Sequence, residues 1–240
     1  GEAISQPPES GNEQGPDDET LFAMLEELSS HLPAQDERPK QLLQHIKNGL
    51  DRKNETIKSL EYQSHHDQLT GMYNRAGFFA ATRRLLPSLT AESAVVVSWG
   101  DMDNFKPIND RFGHAVGDSL LKVVAEGLKS SSGPKDILSR FGGDEFVGLH
   151  VLDRQDAEAS ALRISEHLRN SVRRVSEIAG RPWSNMGVDM SVMQSSIKPA
   201  DSITMDDIDG LMIEADDLMY REKRQRKEHH VRTKAEGSAL

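Results

Sequence analysis

The spacing of apolar residues along the chain predicts an alternation of helices and strands. Leu21, Met24, Leu25 and Leu28 fall on one face of a helix over 20–32. The same spacing, with polar residues between, predicts four later helices. Asn74 is a candidate cap for the helix that begins at 74, and Asp153 for the one that begins at about 154. These helices are predicted over 74–86, 118–130, about 154–178 and 205–227.

Shorter apolar runs predict the strands. Residues 94–99 have the composition of a strand whose beginning is buried on both faces. Residues 136–141 and 145–151 flank a Gly-Gly pair and predict an antiparallel hairpin, and a further strand is expected within 183–193. Few strands, mostly paired as hairpins and covered by helices, indicate an α+β fold. We expect a central, mostly antiparallel sheet flanked by helices and preceded by an N-terminal helical stalk.

The stalk is predicted over 40–64. Its apolar residues follow alternating steps of three and four, with one lysine among them: Leu43, Ile46, Leu50, Lys53, Ile57 and Leu60. This heptad seam has two interpretations that the sequence leaves open. The helix packs on its own domain, or it pairs with a second chain as a short parallel coiled coil, in which Lys53 sets the register or weakens the pairing.

Composition narrows the classes of protein to which the chain can belong. It has 240 residues, a formal net charge of −10 and no cysteine, which excludes disulfides, cysteine zinc sites and thiol nucleophiles. The acidic balance argues against general binding of nucleic acid. No apolar run is long enough to span a bilayer, and no signal peptide is visible. We expect a cytoplasmic domain, whether or not a membrane tether lies upstream.

The polar and Pro-rich or Gly-rich stretches set the expected domain boundaries. Residues 1–39 are predicted to be a flexible arm that contains the short first helix. The stalk over 40–64 follows it, and 65–228 is expected to be one domain. Residues 229–240 then form a basic C-terminal tail.

The predicted hairpin carries two acids, Asp144 and Glu145, directly after its glycines. A plain two-residue turn explains the glycines, but adjacent carboxylates repel each other unless a cation offsets the repulsion. Asp101 and Asp103 follow the first strand, and we expect only one of them, Asp101 at the strand end, to face a site shared with these acids. Three carboxylates without cysteine favour Mg²⁺ or Mn²⁺ over zinc, and Lys106 close behind them suits a phosphate.

The segment after these acids holds a second polar cluster, made of Asn109, Asp110, His114 and Asp118. The amide of Asn109 both donates and accepts hydrogen bonds, whereas the carboxylate of Asp118 only accepts. Such a pair can bind guanine, whose adjacent N1–H and N2–H donors suit a carboxylate. The structural alternative is that Asp118 caps the helix predicted to begin there, and both roles are compatible.

Four segments carry motifs in a fixed order along the chain. They are DQLTGMYNRAGF at 67–78, DMDNFKPINDRFGHAVGD at 101–118, RFGGDEF at 140–146 and EADDLMYREK at 214–223. Together they resemble the GGDEF family, the diguanylate cyclases, over roughly residues 64–226. The resemblance implies a fold similar to the palm of adenylate cyclases and polymerases. It also implies that two facing chains convert two GTP into cyclic di-GMP and two pyrophosphates.

The resemblance further implies a role for each candidate residue. Glu145 would be the catalytic residue nearest the reacting hydroxyl, as general base or as ligand of a second metal. Two Mg²⁺ or Mn²⁺ ions per site would be held by Asp101, the backbone carbonyl of Met102, Asp144 and Glu145. Asn109 and Asp118 would bind the guanine of GTP, and His114 would lie beside the nucleotide. The phosphates would be bound by the backbone at Phe105, by Lys106, by Lys223 and by Lys227. Arg140, which matches the usual basic residue before the signature, is a further candidate for binding GTP.

Three departures from the family pattern bear on these roles. Many members bind their product at an R-x-x-D motif, but here Gly133 stands in place of the arginine before Asp136, so weak or absent feedback inhibition is expected. The closing GRN is replaced by RKE at 226–228, which removes the usual context of Lys227. SWG at 98–100 replaces an apolar run. Asp118 matches the guanine-selecting acid, so GTP is the expected substrate.

Three functions are compatible with the sequence. The favoured one is an active diguanylate cyclase that works as a homodimer, because every acid of the motif is retained. The second is a catalytically silent GGDEF domain that acts as a receptor for GTP or cyclic di-GMP. The third is a dimeric signalling adaptor whose stalk is the functional part. The predicted stalk also leaves room for an upstream sensor domain or partner.

Overall fold

The computed structural model describes residues 17–31, 37–178, 180–184 and 186–237, without the side chains of Ser176 and of 226–237. Most of the predicted N-terminal arm and the end of the predicted tail lie outside these residues. The chain divides into one unit that ends at Glu61 and another from Tyr62 onward. Within the described part of the chain, no helix has the length and hydropathy that a membrane crossing requires.

The described residues of the first unit are mainly helical, as predicted. Helix α1 (Asp18–His31) begins with two acids and ends with a histidine, which suits the helix dipole. Helix α2 (Glu37–His65) begins in the first unit, continues into the second and has no buried residue. Ion pairs between described residues join the helices, with Lys47 to Glu26 at 3.8 Å and Lys53 to Asp18 at 3.4 Å. The polar residue of the heptad seam therefore contacts α1 of its own chain.

The second unit is built on an antiparallel sheet, which confirms the predicted fold. The strands are β1 (Ser93–Asp103), β2 (Ile137–Gly142), β3 (Glu145–Asp153), β4 (Asp189–Gln194) and the two-residue β5 (Lys198–Pro199). Their order is β2-β3-β1-β4, with β5 beside β1. The apolar run of β1 is buried on both faces because helices pack against each face of the sheet.

Five helices cover the two faces of this sheet: α3 (Arg75–Leu85), α4 (Phe105–Phe112), α5 (His114–Ser130), α6 (Ala157–Ser176) and α7 (Met205–Gly237). On one face, α5 and α6 pack over a core that includes Met102, Phe146 and Trp183. On the other face, α3 and α7 pack over a core that includes Phe78 and Leu149. Residues 101 and 145 lie at the edge of this second face, where α7 passes.

The structure corrects several predicted boundaries. Helix α4 was not predicted, although Phe105, Ile108 and Phe112 have helical spacing, and Ile108 is buried. Helix α5 begins at His114, so Asp118 lies in its second turn and is not its cap. The strand expected within 183–193 begins only at Asp189. Helix α7 continues to Gly237, through residues predicted as tail.

The two predicted caps have different outcomes. Asn74 caps α3, since its side chain accepts a hydrogen bond from the Gly77 N–H at 2.8 Å. Asp153 instead caps a short 3-10 turn over 154–156 by accepting from the Gln155 N–H, and α6 begins after that turn.

Candidate active site

The strand register brings the first predicted acid opposite the hairpin. Asp101 on β1 pairs with Glu145 on β3 and, on the other side, with Ser191 on β4. Side chains of directly paired residues share one face of the sheet and lie close together. Two of the predicted metal ligands therefore stand side by side at the end of adjacent strands.

The hairpin turn differs from the prediction by one residue. Gly142 ends β2 and pairs with Glu145, so the two turn residues are Gly143 and Asp144. Gly143 has φ +51°, a value that glycine adopts without steric cost. The carbonyl of Asp144 accepts a hydrogen bond from the Met102 N–H at 3.3 Å, which ties the turn to β1. Asp144 is thereby held beside the Asp101–Glu145 pair.

Electrostatics at this edge of the sheet are unfavourable to so many carboxylates. Burial raises the pKa of Asp144 and of Glu145, and the negative charge of Asp101 raises both further. Asp216 on α7 adds to the raised pKa of Glu145. Lys223 lies two turns after Asp216 on the same face of α7. Its ammonium forms an ion pair with Asp101 and offsets part of the repulsion among the carboxylates.

The donor set suits a hard divalent cation. Asp101, Asp144 and Glu145 offer only oxygen ligands, and the raised pKa values of Asp144 and Glu145 mean that an added positive charge is favoured there. Among the described residues, no group of three or more His, Asp or Glu side chains is already gathered around a metal position. Met102, the predicted backbone ligand, has a buried side chain, and its N–H is used by Asp144.

Asp101 and Asp103 lie on the same face of β1, and not on opposite faces as expected. Residues two apart on a strand share a face, and β1 continues to Asp103. The Asp103 carboxylate accepts hydrogen bonds from the Ser191 hydroxyl at 3.1 and 3.2 Å. Asp103 is thus on the same face as Asp101 but is held by the neighbouring strand β4.

The predicted guanine ligands lie on the pair α4 and α5. The amide oxygen of Asn109 is buried and has no hydrogen-bond partner among the described residues. It lies so close to the backbone of Gly117 that a Cβ there would be 1.9 Å away. Asp118, the next residue, is exposed at the same end of α5. A buried acceptor without a partner normally costs free energy, and a ligand donor would remove that cost.

The predicted phosphate ligands lie near the start of α4. Asn104 precedes the helix with φ +64°, and its side chain donates to the carbonyl of Gly187 at 3.0 Å. Phe105 is the first residue of α4. Lys106 is exposed and makes a surface ion pair with Asp110 at 3.2 Å, which a ligand can displace at little cost. His114, also exposed, begins α5.

Arg140 has contacts that its predicted role did not include. Its Nη1 donates to both oxygens of Asp67 at 3.0 and 3.1 Å, while Nε and Nη2 donate to the carbonyl of Gly143 at 2.9 and 2.7 Å. The Arg140 and Asp67 side chains are only 12% and 22% exposed. The guanidinium therefore joins the segment after α2 to the glycine of the turn, which favours a positioning role over direct contact with substrate.

The remaining candidates divide by location. Lys223 reaches Asp101, as described above, whereas the side chain of Lys227 lies outside the described residues. Gly133 is exposed, but the side chain of Asp136 faces the interior. Sequence reasoning missed two residues, Asp67 and Asp216. Asp216 had a detectable signal, because it precedes Lys223 by two helical turns on one face of α7.

Replacing Asp67 with asparagine is expected to loosen the turn. Burial alone would raise the pKa of Asp67, but hydrogen bonds from Thr70 and Arg140 outweigh it and hold the pKa below the usual range. Stability from such a group is present above its unfolded pKa and is lost as pH falls through the folded value. Asp67→Asn should cost about 1.5–3 kcal/mol near pH 7, and less in acid, in chemical unfolding at several pH values.

An exposed aspartate–arginine pair provides the control for this change. Asp156 accepts from Arg163 in a surface pair, with both side chains about half exposed. Asp156→Asn should change the free energy of unfolding by well under about 1 kcal/mol. An equal loss in the two variants would contradict a special role for Asp67.

Comparison with known proteins identifies the class. A model of the family described as diguanylate cyclase, GGDEF domain, matches residues 64–229. The match covers more than half of the chain and contains all four motifs and the strands and helices that form the site. The chain belongs to the GGDEF family.

Individual relatives agree with this assignment. Diguanylate cyclase DgcM of Escherichia coli is 34% identical over 168 residues, which are 68% of this chain and 37% of DgcM. Probable diguanylate cyclase DgcF of Escherichia coli is 31% identical over 71% of this chain and 52% of its own length. The chain thus spans between about a third and a half of the length of these curated relatives.

Solved structures share the fold. The GGDEF domain of TpbB from Pseudomonas aeruginosa is 33% identical, with a TM-score of 0.53 over 67% of this chain and 90% of that one. The coiled coil and GGDEF domain of DgcB from Caulobacter crescentus, solved in complex with c-di-GMP, has a TM-score of 0.61. It covers 78% of this chain and 94% of that one at 23% identity, so it supports the fold alone.

Proposed function

We propose that this chain is a diguanylate cyclase that condenses two GTP into cyclic di-GMP and two pyrophosphates across a dimer. The observation that carries the proposal is the pairing of Asp101 with Glu145, beside the turn residue Asp144 and the ammonium of Lys223. The family membership and the relatives named diguanylate cyclases support the same reaction.

Glu145 is proposed as the proton acceptor. The 3′-oxygen of one GTP forms a bond to the α-phosphorus of the other, and the bond from that phosphorus to pyrophosphate breaks. The hydroxyl proton passes to the Glu145 carboxylate. A raised pKa makes this carboxylate a better base at neutral pH than an ordinary glutamate. A second, identical step closes the ring and releases the second pyrophosphate.

The cation proposed for the site is Mg²⁺ or Mn²⁺, two per site. Asp101, Asp144, Glu145 and the Met102 carbonyl are the proposed ligands. A bound divalent cation would neutralise phosphate charge and increase the acidity of a coordinated hydroxyl. Lys223 already supplies one positive charge on Asp101, and we propose that it moves to the phosphates of the nucleotide.

The nucleotide is proposed to lie along α4 and α5. The unpartnered amide oxygen of Asn109 accepts a guanine N–H, and Asp118 accepts the adjacent N1–H and N2–H donors. Lys106 and the backbone at Phe105 bind phosphate at the start of α4, where N–H groups lack partners within the helix. His114 is proposed to lie beside the nucleotide.

The second copy of the chain is proposed to bind through α2. This helix has no buried residue, and apolar members of its heptad seam are exposed, Ile46 at 41%, Ile57 at 40% and Leu60 at 59%. A sustained apolar stripe on an exposed helix is typical of a coiled-coil seam. Two nucleotide sites can meet only when two chains are held together, so pairing would set the rate of turnover.

A lysine in this seam should weaken the pairing. Ile57→Lys would place a charge in the interface, so we expect half-maximal specific activity at a protein concentration about tenfold higher. Specific activity and sedimentation are measured over a range of concentrations. Glu55→Lys, on the outer face of the same helix, is the matched control and should follow the unchanged protein. Identical curves for Ile57→Lys and the unchanged protein would exclude α2 as the pairing surface.

One assay tests the proposed function against its alternatives. The protein is incubated with GTP and Mg²⁺, and pyrophosphate and cyclic di-GMP are both measured. Release of the two products in a ratio of two to one supports the cyclase. Binding of GTP without turnover indicates a receptor, and neither binding nor turnover indicates an adaptor. A leucine zipper fused in register ahead of residue 40 ensures that a negative result does not arise from failed dimerisation.

A further inference from the structure

A buried chain of three polar side chains links β1, β3 and the residues before β2, apart from the candidate active site. The Nδ1 atom of His150 lies 2.9 Å from Oδ2 of Asp136, and its Nε2 lies 2.8 Å from Oγ of Ser98. The His150 and Asp136 side chains are 1% and 7% exposed. Since a carboxylate only accepts, Nδ1 carries a proton and donates it to Asp136, while Nε2 shares the second hydrogen bond with the Ser98 hydroxyl.

Both oxygens of Asp136 are engaged within the protein. Oδ2 also accepts from the Gly133 N–H at 3.1 Å, and Oδ1 accepts from the Val151 N–H at 3.2 Å. Burial alone would raise the pKa of Asp136, but these bonds and the bond from His150 outweigh it and hold the pKa below the usual range. The carboxylate is therefore a satisfied interior acceptor.

The backbone makes room for this arrangement at one position. A Cβ on Gly148 would lie 2.6 Å from Nε2 of His150 and 2.8 Å from Oγ of Ser98. Real Cβ atoms do not approach other atoms so closely, so any side chain at position 148 would push the imidazole or the hydroxyl away. The chain from Ser98 through His150 to Asp136 thus depends on a glycine in the middle of β3.

The surface beside Asp136 is open. A cavity of about 270 Å³ is lined there by His66, Tyr73, Lys129, Ser132, Gly133 and Asp136. Gly133 is exposed, its φ is not positive, and an added Cβ would lie 3.6–3.8 Å from the Asp136 carboxylate, which is ordinary contact. Neither lack of space nor strain at position 133 keeps a ligand away, whereas the inward direction of the acid is an obstacle.

We propose that His150 holds Asp136 as an internal ligand and so keeps this carboxylate from binding a cyclic dinucleotide. This inference rests on the proposed function only in that the ligand, cyclic di-GMP, is the proposed product. The absence of an arginine at position 133 is then a second, separate obstacle. Supplying the arginine alone leaves the acid in the interior, because a ligand would still have to break its bonds to His150 and Val151.

Four proteins test the proposal: the unchanged chain, Gly133→Arg, His150→Leu and the double variant. Binding of cyclic di-GMP is measured by calorimetry in the absence of GTP. We expect Gly133→Arg to bind at least about tenfold more weakly than the double variant, in which the carboxylate has lost the side-chain donor His150 and can act together with the new arginine. A difference below about threefold between these two proteins overturns the proposal. Binding is measured without turnover, so this result can be interpreted even if the protein proves inactive as a cyclase. Likewise, a failure of this binding prediction would not contradict cyclase activity.

A second measurement covers the case in which His150→Leu does not fold. Nitrogen-15 spectra of the histidine ring are recorded for the unchanged chain and for Gly133→Arg. The Nδ1–H of His150 should be protected from exchange in both, and cyclic di-GMP should leave it unchanged. Loss of that signal when the nucleotide is added to Gly133→Arg would show that the acid turns outward with His150 in place, and the proposal would be wrong.

Discussion

Replacing Glu145 with glutamine is expected to reduce turnover by about 10²- to 10⁴-fold, the usual contribution of a positioned general base. Glutamine has nearly the same shape but an amide that does not accept the hydroxyl proton. Removing one negative charge also relieves the repulsion among Asp101, Asp144 and Glu145. Affinity for the nucleotide should therefore change by less than about threefold, which corresponds to only a small change in the binding free energy. Pyrophosphate release gives the rate, and titration with α,β-methylene GTP, which does not react, gives the affinity.

The control for this change is the same substitution at an exposed glutamate. Glu126 on α5 forms a surface ion pair with Lys129 at 3.1 Å, and its side chain is 73% exposed. Glu126→Gln should leave both rate and affinity unchanged. If Glu145→Gln kept its rate within a factor of about three of the unchanged protein, the loss would be smaller than a general base contributes. Another group would then have to be the base. If affinity fell together with rate, the proposed role of Glu145 as a cation ligand would account for the loss, and its role as the base would not be supported.

The sheet could be predicted from the sequence because its strands have strong local signals. The valine run of β1 and the apolar runs on both sides of the glycines identify three strands without any tertiary information. The register could not be predicted in the same way. An irregularity between Arg140 and Gly142 shifts the pairing of β2 with β3, and the separate, regular pairing of β3 with β1 places Glu145 opposite Asp101.

The direction in which a charged side chain points was the least predictable feature. Arg140 matched a family position, but its partner Asp67 is 73 residues earlier in the chain. Lys53 matched a heptad position, but it contacts Asp18, 35 residues away. Such contacts form only when distant elements pack together, and local spacing carries no information about them.

Asp136 illustrates the same limit within a motif. The spacing from position 133 placed this acid in a product-binding pattern, and the missing arginine was the only visible departure. Its actual partner, His150, is 14 residues later on β3, and Ser98, which completes the chain, is 52 residues from His150. Two polar residues in otherwise apolar strands were the available signal, because a buried polar side chain requires a partner.

Adding one methyl group at Gly117 is expected to weaken GTP binding strongly while the protein stays folded. The new Cβ of Gly117→Ala would lie 1.9 Å from the Asn109 amide oxygen and 2.9 Å from its carbon, so the whole amide must move. Loss of this acceptor should raise the KM for GTP by about 10- to 100-fold. Alanine stabilises a helix relative to glycine by roughly 0.5–1 kcal/mol, so thermal unfolding should not reveal the defect.

Two comparisons decide whether this effect passes through Asn109. Gly127→Ala makes the same change later in α5, where the nearest atom would be 3.5 Å away, and it should leave the KM for GTP unchanged. In an Asn109→Ala background there is no amide left to displace, so Gly117→Ala should add almost nothing to the loss. A double-mutant cycle measures this coupling. Fully additive losses would mean that Gly117 acts on the nucleotide by some route other than the Asn109 amide.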